Sequence, residues 1–132
     1  MPYRRKRPPL DPCPVEIVLT MVSGKWKVRV LYLLSREDLT FGEIRTSIGS
    51  VSQQVLSALL KELEQDEVVE RNRMQLAGLS RYKLTHKGRR LVSLLEPIAE
   101  WGNELLSRQG LEWQPPAPVQ SRKGADNLAS PS

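Results

Sequence analysis

Apolar residues recur with a period near 3.6 in several separate stretches of this chain, and most of those stretches begin at a residue able to cap a helix. The clearest runs from Val51 to Glu64. Leu56, Leu59, Leu60 and Leu63 repeat there at i, i+3, i+4 and i+7, one stripe for packing on a core. Ser52 stands where its hydroxyl accepts from an otherwise orphan backbone N–H, and Val51 and Leu56 hold the two positions of a hydrophobic staple. The other face opens with Ser52, Gln53, Gln54, Ser57 and Lys61. It carries no charge at its N-terminal end, where solvated helices usually carry acids. Such a face suits readout of a partner, although an ordinary surface helix shows the same stripe.

Before it, Cys13-Pro14-Val15-Glu16 reads as a helix start, with proline at the first position and an acid in the first turn. Val15, Val18, Leu19 and Val22 supply the apolar spacing, and Ser23-Gly24 ends the helix. A second helix spans about Lys25 to Arg36, with Trp26, Val30, Leu33 and Leu34 inward. Lys25, Lys27 and Arg29 are expected on its surface. Thr40-Phe41-Gly42-Glu43 is a capping box. The helix it opens carries Ile44 and Ile48 and stops at Gly49, which suits a left-handed C-terminal position. Only Gly49-Ser50-Val51 separates it from the Ser52 helix. A short glycine-containing turn between two helices fits the helix-turn-helix unit, and a helical hairpin equally.

After the Ser52 helix, Val68 to Met74 and Ser80 to Leu84 alternate polar and apolar around a glycine-containing turn at Leu76–Leu79, the pattern of a β-hairpin. A hairpin directly after a reading helix is the layout of a winged helix-turn-helix. Arg71, Arg73, Arg81 and Lys83 would place cations on its exposed face or tip. Thr85 caps a last helix reaching about Gln109, with Leu91, Leu94, Leu95, Ile98, Trp101 and Leu105 as its apolar stripe and Pro97 inside it, where one backbone hydrogen bond is lost. At 1.5 Å per residue it is about 35 Å long. That exceeds what one small domain covers, so a second copy is expected against it. Residues 1–12 read as a flexible basic arm, 13–109 as the domain, and 110–132 as a disordered tail rich in Pro, Ala, Ser and Gln.

Charge sharpens this picture only through its distribution. The formal charge is +5, and Arg4, Arg5, Lys6 and Arg7 supply most of it. From Arg71 to Arg90 there are seven basic residues and no acid, whereas Glu37 to Glu70 holds eight acids against Arg45 and Lys61. The segregation predicts one electropositive surface on a nearly neutral body. Cys13 is the single cysteine, so an intramolecular disulfide is excluded. The basic start runs into prolines rather than an apolar segment, and no stretch approaches the roughly 20 apolar residues that span a bilayer. A soluble cytoplasmic protein without membrane partners is expected.

These residues together resemble the HxlR-type family of bacterial winged helix-turn-helix regulators, relatives of the MarR group. The pattern is Cys13-Pro14, Gly24-Lys25-Trp26, Phe41-x-Glu43-Ile44, Val55-Leu56-Ser57, Leu60-x-x-Leu63-Glu64, Val69-x-Arg71, Tyr82-x-Leu84-Thr85, Gly88 and Trp101, in order over about residues 12–105. The resemblance implies a mainly α fold with a small α+β wing, flanked by N- and C-terminal dimerisation helices. It implies a homodimer joined through Val15 and Leu19 of the first helix and Leu94, Leu95, Ile98, Trp101 and Leu105 of the last. That dimer would regulate promoters, as a repressor by family habit, from operator DNA at the nucleoid. In several members the cysteine matching Cys13 senses oxidants or electrophiles. This chain departs from the pattern at Leu59, where the family usually has arginine, and at Glu67, where it usually has glycine. A contact is therefore expected to be lost or moved, and the turn after the reading helix to be made differently. The family's common proline pair is also missing from the wing.

For double-stranded DNA, Gln53 and Gln54 can each pair with an adenine edge, worth about 1–3 kcal/mol apiece. Ser52 and Ser57 reach bases or phosphate, Lys61 and Arg45 phosphate, and the wing cations phosphate or minor groove. Cys13 lies where a helix dipole favours a thiolate, so an oxidant or small molecule is an expected effector; a buried, inert thiol is the plainer alternative. His86 has no second ligand at metal spacing, so no metal or cofactor is expected. Met21, Met74, Trp26 and Trp101 suit packing better than a ligand box. No catalytic triad or phosphate loop is present, which argues against an enzyme. The rival class is a winged helix used only as a protein-interaction module.

Overall fold

The computed structural model describes residues 13–74 and 79–113, so the basic arm, the hairpin turn and most of the tail lie outside the described residues. The elements are α1 (Pro14–Val22), α2 (Lys27–Arg36), β1 (Leu39–Thr40), α3 (Phe41–Ile48), α4 (Gln53–Gln65), β2 (Val69–Met74), β3 (Leu79–Leu84) and α5 (His86–Arg108). The three strands form one antiparallel sheet in the order β1-β3-β2. Five helices with a small sheet make the mainly α winged helix-turn-helix that the periodicity implies. The sequence pattern missed β1. Two residues are too few for an alternation to register, and only their pairing with Tyr82 and Arg81 makes them a strand.

Side-chain caps set the starts of α3, α4 and α5. Thr40 accepts from the Glu43 N–H while Glu43 accepts from the Thr40 N–H at 2.9 Å, a complete capping box. Ser52 accepts from the Val55 N–H at 3.1 Å, and Thr85 from the Gly88 N–H at 3.0 Å. The α4 stripe behaves as its spacing requires: Leu56, Leu59, Leu60 and Leu63 are all buried, with Val51 beneath the first turn. Leu59 faces the core, so the departure there changes packing and leaves the outer face of α4 untouched. Val22 of α1, Val30, Leu31, Leu33 and Leu34 of α2, Leu39, Ile44, Val68, Val69, Tyr82, Leu84, and Leu91, Val92 and Leu95 of α5 complete the core.

Lys27 corrects its expected place. It is buried, and its Nζ lies 2.7 Å from Oε1 of Glu62. Glu62 of α4 meets the first turn of α2, where a long alkyl stem carries the buried ammonium to the carboxylate. Helical period alone could not show this, because it does not say how wide a face a neighbouring helix covers.

The turn after α4 is also a correction. Glu67 itself takes the left-handed conformation, at φ 61°. Its N–H donates to the Glu64 carbonyl and the Val68 N–H to the Leu63 carbonyl, which is a Schellman closure with glutamate at the glycine position. The Thr85 hydroxyl holds the strained residue by donating to the Glu67 carbonyl at 2.6 Å. Left-handed backbone costs a non-glycine residue about 1–2 kcal/mol, partly offset by the greater freedom of unfolded glycine. Glu67→Gly is therefore expected to stabilise the domain by about 1 kcal/mol, raising its urea midpoint with an unchanged slope.

Candidate nucleic-acid interface

Helical geometry makes α4 two-sided. With the leucines inward, Gln53, Gln54, Ser57, Ala58 and Lys61 line one shallow concavity on the opposite side. The first turn of α4 carries no acid. Unbonded N–H groups and the positive end of the helix dipole therefore face outward beside uncharged amides. Ser52 uses a lone pair to cap the helix, and its O–H still has a proton to donate. Ala58 was not singled out from the sequence. Its place four residues after Gln54 marks it for the same face, where a methyl suits contact with the thymine methyl.

Arg45 is exposed, but its Nε donates to the Val51 carbonyl at 3.3 Å, so it braces the turn between α3 and α4. The wing cations divide. Cross-strand register pairs Arg71 with Tyr82, Arg73 with Ser80, Asn72 with Arg81 and Glu70 with Lys83. Alternation puts Arg71 and Arg73 on the side of Val69, Tyr82 and Leu84, and puts Arg81 and Lys83 on the other. Arg71 lies against the Tyr82 ring at 5.7 Å and donates to its hydroxyl at 3.4 Å. Arg81 bonds the Asp38 carbonyl and Glu43 Oε1, both at 3.4 Å, tying β3 to the α3 cap. Lys83 lies 3.4 Å from Glu70. The expected single electropositive wing surface is thus two faces, and both cations of one face are paired with acids.

Cys13 is the residue before α1, partly exposed, with its carbonyl accepting from the Ile17 N–H at 3.1 Å. Its thiol forms no cap. His86 opens α5 on the surface, and no group of three His, Cys, Asp or Glu side chains is placed to hold a metal among the described residues.

The apolar stripe of α5 splits. Leu91 and Leu95 are buried against the rest of the domain, whereas Leu94, Ile98, Trp101 and Leu105 stand exposed, Trp101 at 64 % and Ile98 at 58 %. Leu95, expected at a subunit interface, belongs to the core of its own chain. Val15 and Leu19 of α1 are likewise exposed, and a largely apolar groove of about 640 Å³ runs between α1, α2 and α5. So much exposed apolar surface marks an interaction face. No helix among the described residues is long and apolar enough to cross a membrane.

A capped helix pair, a short turn, an outward polar face and a following hairpin define a winged helix-turn-helix protein, a DNA-binding regulator by class. The match to the model of the HxlR-like helix-turn-helix family over residues 21–110 shows that this chain belongs to that family. An HTH-type transcriptional regulator of Halalkalibacterium halodurans is 35% identical over 102 residues, 76% of this chain and 90% of the relative. Among solved structures, the reduced form of the redox regulator HypR superposes with a TM-score of 0.65 at 34% identity, covering 70% of this chain and 92% of that one. The reduced form of the transcriptional regulator YodB from B. subtilis gives 0.65 at 30% identity over 71% of this chain and 94% of its own. The chain is a transcriptional regulator of the helix-turn-helix type, and its relatives are regulators rather than enzymes.

Proposed function

We propose that this regulator is a homodimeric repressor that places its two α4 helices in successive major grooves of a pseudo-palindromic operator, about one helical turn apart. The observation that carries the reading is the outward face of α4, where two exposed glutamines and a serine lie beside a helix N-terminus with no acid. Gln53 and Gln54 read base edges. Ser52, Ser57, Lys61 and Arg45 position the helix on the backbone, Arg71 and Arg73 extend the contact along one face of the wing, and Arg81 and Lys83 serve it from the other face. Val15, Leu19, Leu94, Ile98, Trp101 and Leu105 join the subunits. In this reading residues 13–109 are the working domain, residues 1–12 a basic arm and 110–132 a tail, and the protein acts in the cytoplasm. Cys13, the only cysteine, is assigned to oxidant or electrophile sensing, through a disulfide between two copies or a small-molecule thiol adduct. The redox regulators HypR and YodB support that assignment by likeness.

DNase footprinting of the purified protein on its own upstream region tests the reading, with a roughly symmetric protected stretch expected. Gln53→Ala and Gln54→Ala are each expected to lose about tenfold in the ratio of operator to random-DNA affinity, with dimerisation intact. Unchanged selectivity in both variants would remove α4 as the reader. The pairing of Arg81 and Lys83 with acids favours a second reading, a wing that docks on protein. Salt separates the two: DNA binding weakens steeply as salt rises, and an apolar protein interface does not.

A further inference from the structure

The C-terminal half of α5 has a second side, which meets the apolar groove at Tyr32, Ala99, Asn103 and Trp113. Val92, Glu96, Ala99, Glu100 and Asn103 recur at helical spacing on the side of α5 opposite Leu94, Ile98, Trp101 and Leu105. They line a cleft of about 360 Å³ against α2, together with Tyr32 and Trp113. Trp113 lies beyond the last residue of the family match, Gly110. The sequence brings it there by a local device. Gly110 takes φ 73° after α5, its N–H donates to the Ser107 carbonyl, and the Leu111 N–H donates to the Leu106 carbonyl. The chain thereby turns back, and the Trp113 ring comes to rest 5.7 Å from that of Tyr32 at 45°. Trp113 thus adds a wall from outside the matched residues to a cleft whose other residues lie within them.

Its chemistry is that of a cation site. Two half-buried aromatic residues adjoin two exposed carboxylates one helical turn apart, Glu96 and Glu100, and Arg36 also lines the cleft. Burial, and next the charge of Glu96, hold the Tyr32 hydroxyl above its ordinary pKa, so that the Glu96 charge is felt at Tyr32. Burial opposes any bare charge there, whereas the Glu96 charge that opposes tyrosinate attracts a positive group, and apolar substituents on that group lessen its cost of leaving water. An ammonium with apolar substituents gains from ring faces and carboxylates at once. An organic anion meets two carboxylates, and a bare metal ion finds no third carboxylate or imidazole.

We propose that the cleft between α2 and α5, walled by Tyr32 and Trp113 and flanked by Glu96 and Glu100, binds an organic cation, an aromatic or alkylated ammonium. The site stands apart from the operator reading, because its test involves no DNA.

The test is calorimetric titration of the full chain with benzyltrimethylammonium and, separately, with phenylacetate, an aromatic anion of similar ring size. The cation is expected to bind at one site per chain, and phenylacetate at least about tenfold more weakly. Glu96→Gln combined with Glu100→Gln is expected to weaken the cation about tenfold, because the shape is kept and the charge removed. Trp113→Leu is expected to do the same while leaving the helical circular dichroism and melting of the domain unchanged, since the residue follows the last helix. No saturable cation binding below about 10 mM would overturn the proposal. So would equal binding of phenylacetate, or parental affinity in both variants.

Discussion

Gly88→Ala is expected to destabilise the domain by about 3 kcal/mol, a fall in melting temperature of roughly 12–24 °C for a domain of this size. Gly88 lies in the first turn of α5, where the helix passes over the start of β2. A Cβ there would stand 2.0 Å from the Val68 carbonyl oxygen and 3.0 Å from its carbon. Both are backbone atoms, so no rotamer relieves the contact. The same carbonyl accepts from the Thr85 N–H at 3.1 Å, and Thr85 caps α5 and restrains Glu67. Moving the helix away therefore disturbs the cap, the turn after α4 and the base of the wing together. Gly42 is the control. A Cβ there meets nothing within 4 Å, so Gly42→Ala is expected to be neutral or to stabilise by up to about 1 kcal/mol, as alanine does in an open helix. Equal melting temperatures for the two variants would show that the close approach of α5 to Val68 carries no cost.

Glu62→Ala is expected to cost about 2–3 kcal/mol, measured by urea unfolding. It withdraws the carboxylate 2.7 Å from the ammonium of Lys27, whose side chain is only 5% exposed. Breaking a buried pair from one side costs about 3–5 kcal/mol, and the figure is reduced here because Glu62 keeps 31% of its surface in water. Lys27→Met in the presence of Glu62→Leu removes both charges and keeps the volume, and is expected to recover most of the loss. Additive destabilisation in the double variant would mean that the two residues act independently. The pair joins α2 to the reading helix, so Glu62→Ala is also expected to blunt operator selectivity, although Glu62 lies outside the face formed by Gln53, Gln54, Ser57 and Lys61.

Most of the fold was legible in the chain because its signals are local. Thr40 with Glu43, Ser52 and Thr85 mark helix starts through hydrogen bonds spanning three residues. Gly49 marks a stop, and the leucines of α4 mark an inward face by period alone. The same locality made the outward face of α4 readable, since a residue opposite a buried stripe has only solvent or a partner to meet. The site was less legible wherever a side chain's surroundings come from distant segments. Arg81 reads as a wing cation, but β3 pairs beside β1 and brings it to Glu43 of the α3 cap. Arg71 and Arg73 read as neighbours of Arg81 and Lys83, and the antiparallel register turns them to the other side of the sheet. Lys27 reads as solvated, yet packing buries it and brings it to Glu62 of α4. The apolar stripe of α5 reads as one face, yet the domain covers Leu91 and Leu95 and leaves Leu94, Ile98, Trp101 and Leu105 outside. By itself the sequence determined which residues cap, which face of each helix is apolar, and so the winged helix-turn-helix class. Tertiary structure alone decided which charges are paired and which apolar positions remain for a partner, because burial and ion pairing depend on the neighbours that packing supplies, and those neighbours lie far away along the chain.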